Sequence, residues 1–184
     1  KESFAVDEMT KKRTSIANKE ISCLDFVISD IIKRFKPSGI FLDTGNNLSW
    51  SCNILSTLNC NLPGIYSSWN NTPMGYSVPA AIGFCLGKNK EPTMAIIGDG
   101  GLGICLSELF LITKMKLPIM ILLVENGGHN IQKQTIETWL NSAYALVDEK
   151  SNLYIPNYEG LSEYVGIRSI TVEDSADIAK FRNI

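Results

Sequence analysis

Two apolar runs, TMAIIG (93–98) and PIMILLV (118–124), constrain the fold more than any other feature of the chain. Neither alternates apolar with polar residues, as a strand with one wet face would. Unbroken runs of this kind fit parallel strands covered on both faces. Between them lies LGICLSELFLITKMK (102–116), long enough for a helix and apolar nearly all round, so it is expected to be buried. Strand, helix and strand in this order make a βαβ unit with a right-handed crossover.

The alternation extends in both directions. SCLDFVISDIIKRF (22–35) has helical spacing with Ser22 placed to cap it, and SGIFLD (38–43) and GIYSSW (64–69) read as strands. YSVPAAIGFCLG (76–87) reads as a small-residue helix with Pro79 in its first turn. Beyond the second apolar run the pattern gives a Gly-rich loop, a helix near 131–140 and an irregular stretch near 148–156. A short helix near 158–165, a strand RSITV (168–172) and a last helix from Ser175 complete it. The expected fold class is therefore α/β, an open parallel sheet with helices on both faces. In such folds ligands bind in the crevice outside the carboxyl ends of the strands. Residues 1–20 are charged, weakly patterned and lack a start Met, so they read as a linker or the cut edge of a longer chain. Residues 21–184 read as one domain.

Composition narrows the function classes. A 45% hydrophobic share suits an ordinary core, and a formal net charge of −2 gives no reason to expect nucleic acid or an anionic membrane as partner. The longest apolar run, LPIMILLV (117–124), is far short of the roughly 20 residues that span a bilayer. Cys23, Cys52, Cys60, Cys85 and Cys105 are scattered with no C-x-x-C pair. That points to reduced thiols in the cytoplasm rather than a zinc site or a disulfide framework.

The chemistry sits at the ends of the two apolar runs. AIIGDGGLG (95–103) ends its run in a lone Asp99 between Gly98 and Gly100. Gly-Asp-Gly by itself is a turn signal. One βαβ unit later, however, the next strand ends in VENGGHN, with Asn126 ahead of Gly127 and Gly128. The crossover brings the two ends side by side. They offer a carboxylate oxygen, an amide oxygen and a backbone carbonyl, hard donors suited to Mg²⁺ or Ca²⁺ rather than zinc. Gly100 and Gly101 allow a tight turn into the next helix, where N–H groups favour an anion. The expectation is that Asp99 holds a metal and the metal holds a diphosphate.

These residues resemble a known family. Gly-Asp-Gly with a downstream Asn is similar to the diphosphate-binding signature of thiamine-diphosphate enzymes. LSELFLITKMKLPIMILLVENGG and NNTPMGYSVPAAIG resemble segments of acetolactate synthases and related 2-oxo-acid decarboxylases. The resemblance runs from about Ile21 to Ile170 and covers only the diphosphate-binding domain. It implies thiamine diphosphate and Mg²⁺ as cofactors. Asp99 and Asn126 would ligate the metal by side chain and Gly128 by its carbonyl. Gly98, Gly100, Gly101, His129, Asn130 and Ile131 would surround the diphosphate, as would Asn46 and Asn47 of DTGNN. The Thr72 carbonyl and the Met74 amide would bond the aminopyrimidine, although relatives carry Gly where this chain has Thr72. Met74 would also wedge between the two cofactor rings and hold them bent, a positioning effect that can be worth about 7–11 kcal/mol. Gln134 and Trp139, on the helix after the metal loop, are candidates for substrate contact, and Trp139 reads equally as a core anchor.

The resemblance also implies what must come from elsewhere. The glutamate that activates the aminopyrimidine belongs to a separate pyrimidine-binding domain or subunit, so this chain alone is expected to be inactive. Glu108 and Glu125 read as an ordinary helix acid and a salt-bridge partner. The implied activity is that of a lyase or carboligase on a small 2-oxo acid, in a homo-oligomer. A non-catalytic cofactor-binding module, or the small subunit of a two-chain sulfopyruvate- or phosphonopyruvate-type decarboxylase, are the alternatives. A nucleotide-binding domain is weaker, since neither G-x-G-x-x-G after the first strand nor a P-loop lysine is present.

Overall fold

The computed structural model describes residues 23–58, 61–173 and 177. Ser22, the expected cap, and most of the segment from Ser175 onward lie outside them. Four strands form one sheet: β1 (Gly39–Leu42), β2 (Gly64–Tyr66), β3 (Thr93–Gly98) and β4 (Ile119–Val124). Their order is β2-β1-β3-β4, and every pairing is parallel. The register sets Gly39 opposite both Gly64 and Thr93, and Gly98 opposite Val124. Hence β3 and β4 end level, and Asp99 and Glu125 leave the sheet as neighbours.

Alternate residues of the central strands feed two separate cores, as the two-residue period of a strand requires. Ile40, Leu42, Met94 and Ile96 pack with α1 (Cys23–Phe35) and α2 (Asn46–Thr57) on one face. Phe41, Ala95 and Ile97 pack on the other face with α3 (Ser77–Gly87), α4 (Asp99–Ile104), α5 (Ser107–Met115) and the late helix α7 (Tyr158–Val165). Two layers of helix thus enclose β1 and β3, whose Ile40, Leu42, Met94, Ala95, Ile96 and Ile97 are fully buried. Between β4 and α7 lie α6 (Asn130–Thr135), a π-helical turn (Ile136–Leu140) and a 3₁₀ turn (Glu149–Ser151).

Three expectations need correction. The helix expected over 102–116 is two helices, α4 and α5, with a break at Cys105 and Leu106. Neither is buried all round: Leu102, Leu109 and Ile112 face the core, while Ile104 is 65% and Phe110 52% exposed. Apolar character on every face here marks a surface helix with an uncovered apolar side. The strand β4 is half-buried at all six positions rather than covered on both faces, because it is the edge of the sheet. Finally, RSITV (168–172) forms no strand: none of its residues joins the ladder, so the outer edge of β4 is unpaired among the described residues. No described helix is long and apolar enough to cross a membrane.

Candidate functional site

The chain leaves β1 for β2 on one side and returns to β3 on the other, so the topological switch lies between β1 and β3. That is where an open parallel sheet leaves a crevice for ligand. A cleft of about 480 Å³, counting its open mouth, lies there. Asn46, Asn47, Met74, Gly98, Asp99, Gly100, Gly101, Asn126, Gly128, His129, Asn130 and Ile131 all line it. Asp43, Thr44, Gly45 and Gln132 line it as well. Residues as distant in sequence as 43 and 132 therefore converge on one opening.

Asp99 is the first residue of α4 and only 2% exposed. Its Oδ1 accepts the Gly100 N–H at 2.7 Å. Its Oδ2 accepts the N–H groups of Asn126, Gly127 and Gly128 at 3.1, 2.9 and 3.1 Å. A buried carboxylate without a cation beside it is stabilised by such charge-assisted bonds. The same bonds fasten the loop after β4 to the start of α4. Oδ1, with a single N–H donor, keeps acceptor capacity toward the cleft that Asp99 lines. The Asn126 carboxamide is exposed and makes no hydrogen bond to the described residues. The Gly128 carbonyl accepts one bond, from the Asn130 N–H at 3.0 Å, and retains a second lone pair. One carboxylate oxygen, one amide oxygen and one carbonyl form a sparse, hard donor set. It fits Mg²⁺, which takes one or two protein carboxylates and completes its shell with water and phosphate oxygens. Among the described residues no cluster of three His, Cys, Asp or Glu exists that would suit a softer metal.

The loop after β4 is braced from outside. His129 N–H donates to the Val147 carbonyl at 2.8 Å, and Gly128 and Asp148 form an isolated bridge. Lys133 Nζ meets Asp148 Oδ2 at 2.8 Å. The Lys133 ammonium, then the Ser151 hydroxyl, hold the Asp148 carboxyl down at about 2. The His129 imidazole lies over Gly100, its Cε1 against the point where a Cβ there would stand, with Met74 Cε 3.0 Å from the same point. So Met74 and His129 meet above the first turn of α4.

Two groups at the site carried no signal of their own in the sequence. Asp43 is 1% exposed, and its two oxygens accept the N–H groups of Gly75 at 3.0 Å and Ser77 at 2.9 Å. Tyr158, on α7, donates its hydroxyl to the main-chain carbonyl of Asp99. Burial, then the charge of Asp99, pushes that phenol up to about 12. Glu125, next to Asn126, is exposed, and its carboxyl is pushed up by partial burial and by Asp99 and Glu159 nearby; the salt bridge expected for it is not among the ion pairs of the described residues. Glu108 does not line the cleft.

Three of the expected site residues do not line the cleft either. Thr72 is exposed and sits at φ 39°, a left-handed conformation that a β-branched residue rarely adopts. Gln134 is exposed on α6. Trp139, in the π-helical turn, is 81% exposed and so is not a core anchor of this chain.

An open parallel sheet with a buried carboxylate and glycine-rich strand ends at its switch point defines an α/β ligand-binding domain. The chain belongs to the thiamine pyrophosphate enzymes: it matches their C-terminal TPP binding domain over residues 43–182. It is 27% identical to the acetolactate synthase large subunit of Porphyra purpurea over 164 residues, which covers 89% of this chain and 26% of that protein. It is 30% identical to pyruvate decarboxylase of Neurospora crassa over 132 residues, covering 67% of this chain and 22% of that one. Its likeness to the acetolactate synthase large subunit of Lactococcus lactis is 26% over 141 residues, 76% of this chain and 24% of that one. The chain thus spans about a quarter of the length of these relatives.

Proposed function

We propose that this domain binds thiamine diphosphate through Mg²⁺, as the diphosphate-holding part of a lyase or carboligase acting on a 2-oxo acid. The observation that carries the reading is the charge of the cleft. Its lining holds two buried carboxylates, Asp43 and Asp99, and no Lys or Arg. A bare diphosphate would meet like charge there, so a divalent cation has to mediate. Asp99 Oδ1, the Asn126 carboxamide and the Gly128 carbonyl would hold that ion. The amide of Gly101 and the start of α2 at Asn46 and Asn47 would face phosphate oxygens, while the Gly100 N–H is already given to Asp99 Oδ1 and Gly100 serves by leaving room beside it. Thiamine diphosphate bound there would supply a carbon nucleophile for a keto group and a cationic ring as the electron sink for decarboxylation. The chain's own residues position it: Met74 would hold the rings folded, and Tyr158 and the four N–H bonds to Asp99 fix the metal ligand.

Neither carboxylate of the cleft is placed to activate the aminopyrimidine: Asp43 is buried and turned to the Gly75 and Ser77 N–H groups, and the free capacity of Asp99 is given to the metal in this reading. That supports a separate pyrimidine-binding domain or subunit as the source of the activating acid. The same fact keeps a purely cofactor-binding module as the second reading. Calorimetric titration with thiamine diphosphate should give binding with Mg²⁺ and none in a chelator. Pyruvate decarboxylation by the full natural protein, set beside this chain alone, separates the two readings. Binding without turnover in the full protein favours the module, and equal binding with and without metal contradicts the proposal.

A further inference from the structure

We propose that Asp43 is a positioning residue for Met74, acting through the backbone of the turn that follows it; this rests on reading the cleft as a thiamine-diphosphate site. The burial of Asp43 needs a reason. A carboxylate on the floor of an anion-binding cleft works against the anion, and an apolar residue would pack there without a desolvation cost. What Asp43 has instead is a pair of main-chain donors far along the chain. Gly75 N–H, one peptide beyond Met74, reaches Oδ1 at 3.0 Å, and Ser77 N–H reaches Oδ2 at 2.9 Å. Asp43 is itself fixed, because its own N–H donates to the Ile96 carbonyl of β3 at 2.9 Å. It also abuts α4: a Cβ on Gly101 would lie 2.9 Å from its Oδ1. One side chain therefore ties the end of β1, the Met74 turn and the start of α4 into one unit.

Methionine has three rotatable bonds and adapts to its surroundings, so its own packing fixes its place poorly. The backbone from which it projects has to fix it, and here that backbone hangs on one carboxylate. Charge-assisted bonds are roughly twice as strong as neutral ones, which suits a turn that must not drift. A drift of about 1 Å in a positioning element can cost on the order of a hundredfold in rate.

The test is calorimetric, on the full natural protein, with two ligands: Mg²⁺–thiamine diphosphate and Mg²⁺–inorganic diphosphate. Asp43→Asn keeps one acceptor but turns an NH₂ group toward a backbone donor, so one of the two bonds is lost. The expected result is about a tenfold or greater loss of thiamine-diphosphate affinity, with inorganic diphosphate bound as well as before or more tightly, since a like charge beside it is removed. In a Met74→Ala background the same change should cost nothing further, since the two residues act as a unit. Gly75→Ala strains the turn from its other end, at φ 78° with its Cβ 3.2 Å from the Gly101 carbonyl, and should give the same selective loss. It serves if Asp43→Asn fails to fold. Equal loss of both ligands, no loss of either, or additive effects with Met74→Ala would overturn the inference. Wild-type protein that binds neither ligand would overturn the cofactor reading itself, and the inference with it.

Discussion

Asp99 accepts four main-chain N–H groups while nearly excluded from water, and two of its neighbours in that cluster are proposed metal ligands. Asp99→Asn keeps the shape and removes the charge. It should lower Mg²⁺-dependent affinity for thiamine diphosphate by about 100-fold, about 2.7 kcal/mol, measured by titration calorimetry. Stability should fall as well, by about 1–3 kcal/mol, because a buried amide cannot satisfy the same donors. A thermal shift in that range with metal affinity intact would place Asp99 in the fold alone. The neighbouring glycines separate in the same way. A Cβ on Gly101 meets Asp43 Oδ1 and Ile97 Cγ1, each at 2.9 Å, whereas one on Gly98 meets nothing within 4 Å. Gly101→Ala should destabilise by about 1–3 kcal/mol, and Gly98→Ala should stay within about 0.5 kcal/mol, both by chemical denaturation. Asp99, Asn126 and Gly128 were legible because they stand at strand ends inside a glycine-rich pattern. Asp43 and Tyr158 were not, although Asp43 opens DTGNN and Tyr158 opens the short helix expected near 158–165. Their partners lie 32, 34 and 59 residues away, and only the folded chain brings them together.

At the level of elements, the strand tips were easier to read than the loops that finish the cleft. Helical spacing over 102–116 holds on both sides of Cys105, so periodicity alone showed no break there. The brace behind the β4 loop was equally hidden, since Lys133 and Asp148 belong to segments with no shared pattern. Its pH dependence follows from the low position of Asp148. The carboxyl lies at about 2 in the fold against an ordinary value of 3.8. A depressed acid contributes stability above its unfolded value and loses it as pH falls toward its folded value. The brace should therefore persist to about pH 4 and fail between there and pH 2. Limited proteolysis with an acid protease should show cutting near residues 128–148 in that window, and Lys133→Met should move the onset upward. Cutting with the same pH onset in both proteins would remove the brace from the account. At the other end of the site, Tyr158→Phe should cost about 1 kcal/mol by thermal unfolding, the worth of one hydrogen bond to a buried carbonyl.

For the molecule as a whole, the parallel α/β plan was legible because unbroken apolar strands admit few other solutions, and because helices and strands alternate throughout. The position of each strand within the sheet was not, since IMILLV and TMAIIG look equally deep as text. The structure distinguishes them: β3 has neighbours on both sides and five fully covered residues, while β4 is an edge with every residue half-covered. Backbone groups on an open edge exchange through smaller openings than those locked in a central ladder. Amide hydrogen exchange should thus be at least about tenfold slower in 94–97 than in 120–123, a difference of about 1.4 kcal/mol in opening free energy. Adding Mg²⁺ with thiamine diphosphate sharpens the comparison. The ligand would tie the ends of β3 and β4 through Asp99 and Asn126, so β4 should gain more protection than β3, whose exchange already approaches global unfolding. Equal gains in both strands would mean that binding stabilises the domain only as a unit. Gain confined to β3 would mean that the loop after β4 contributes nothing to holding the ligand.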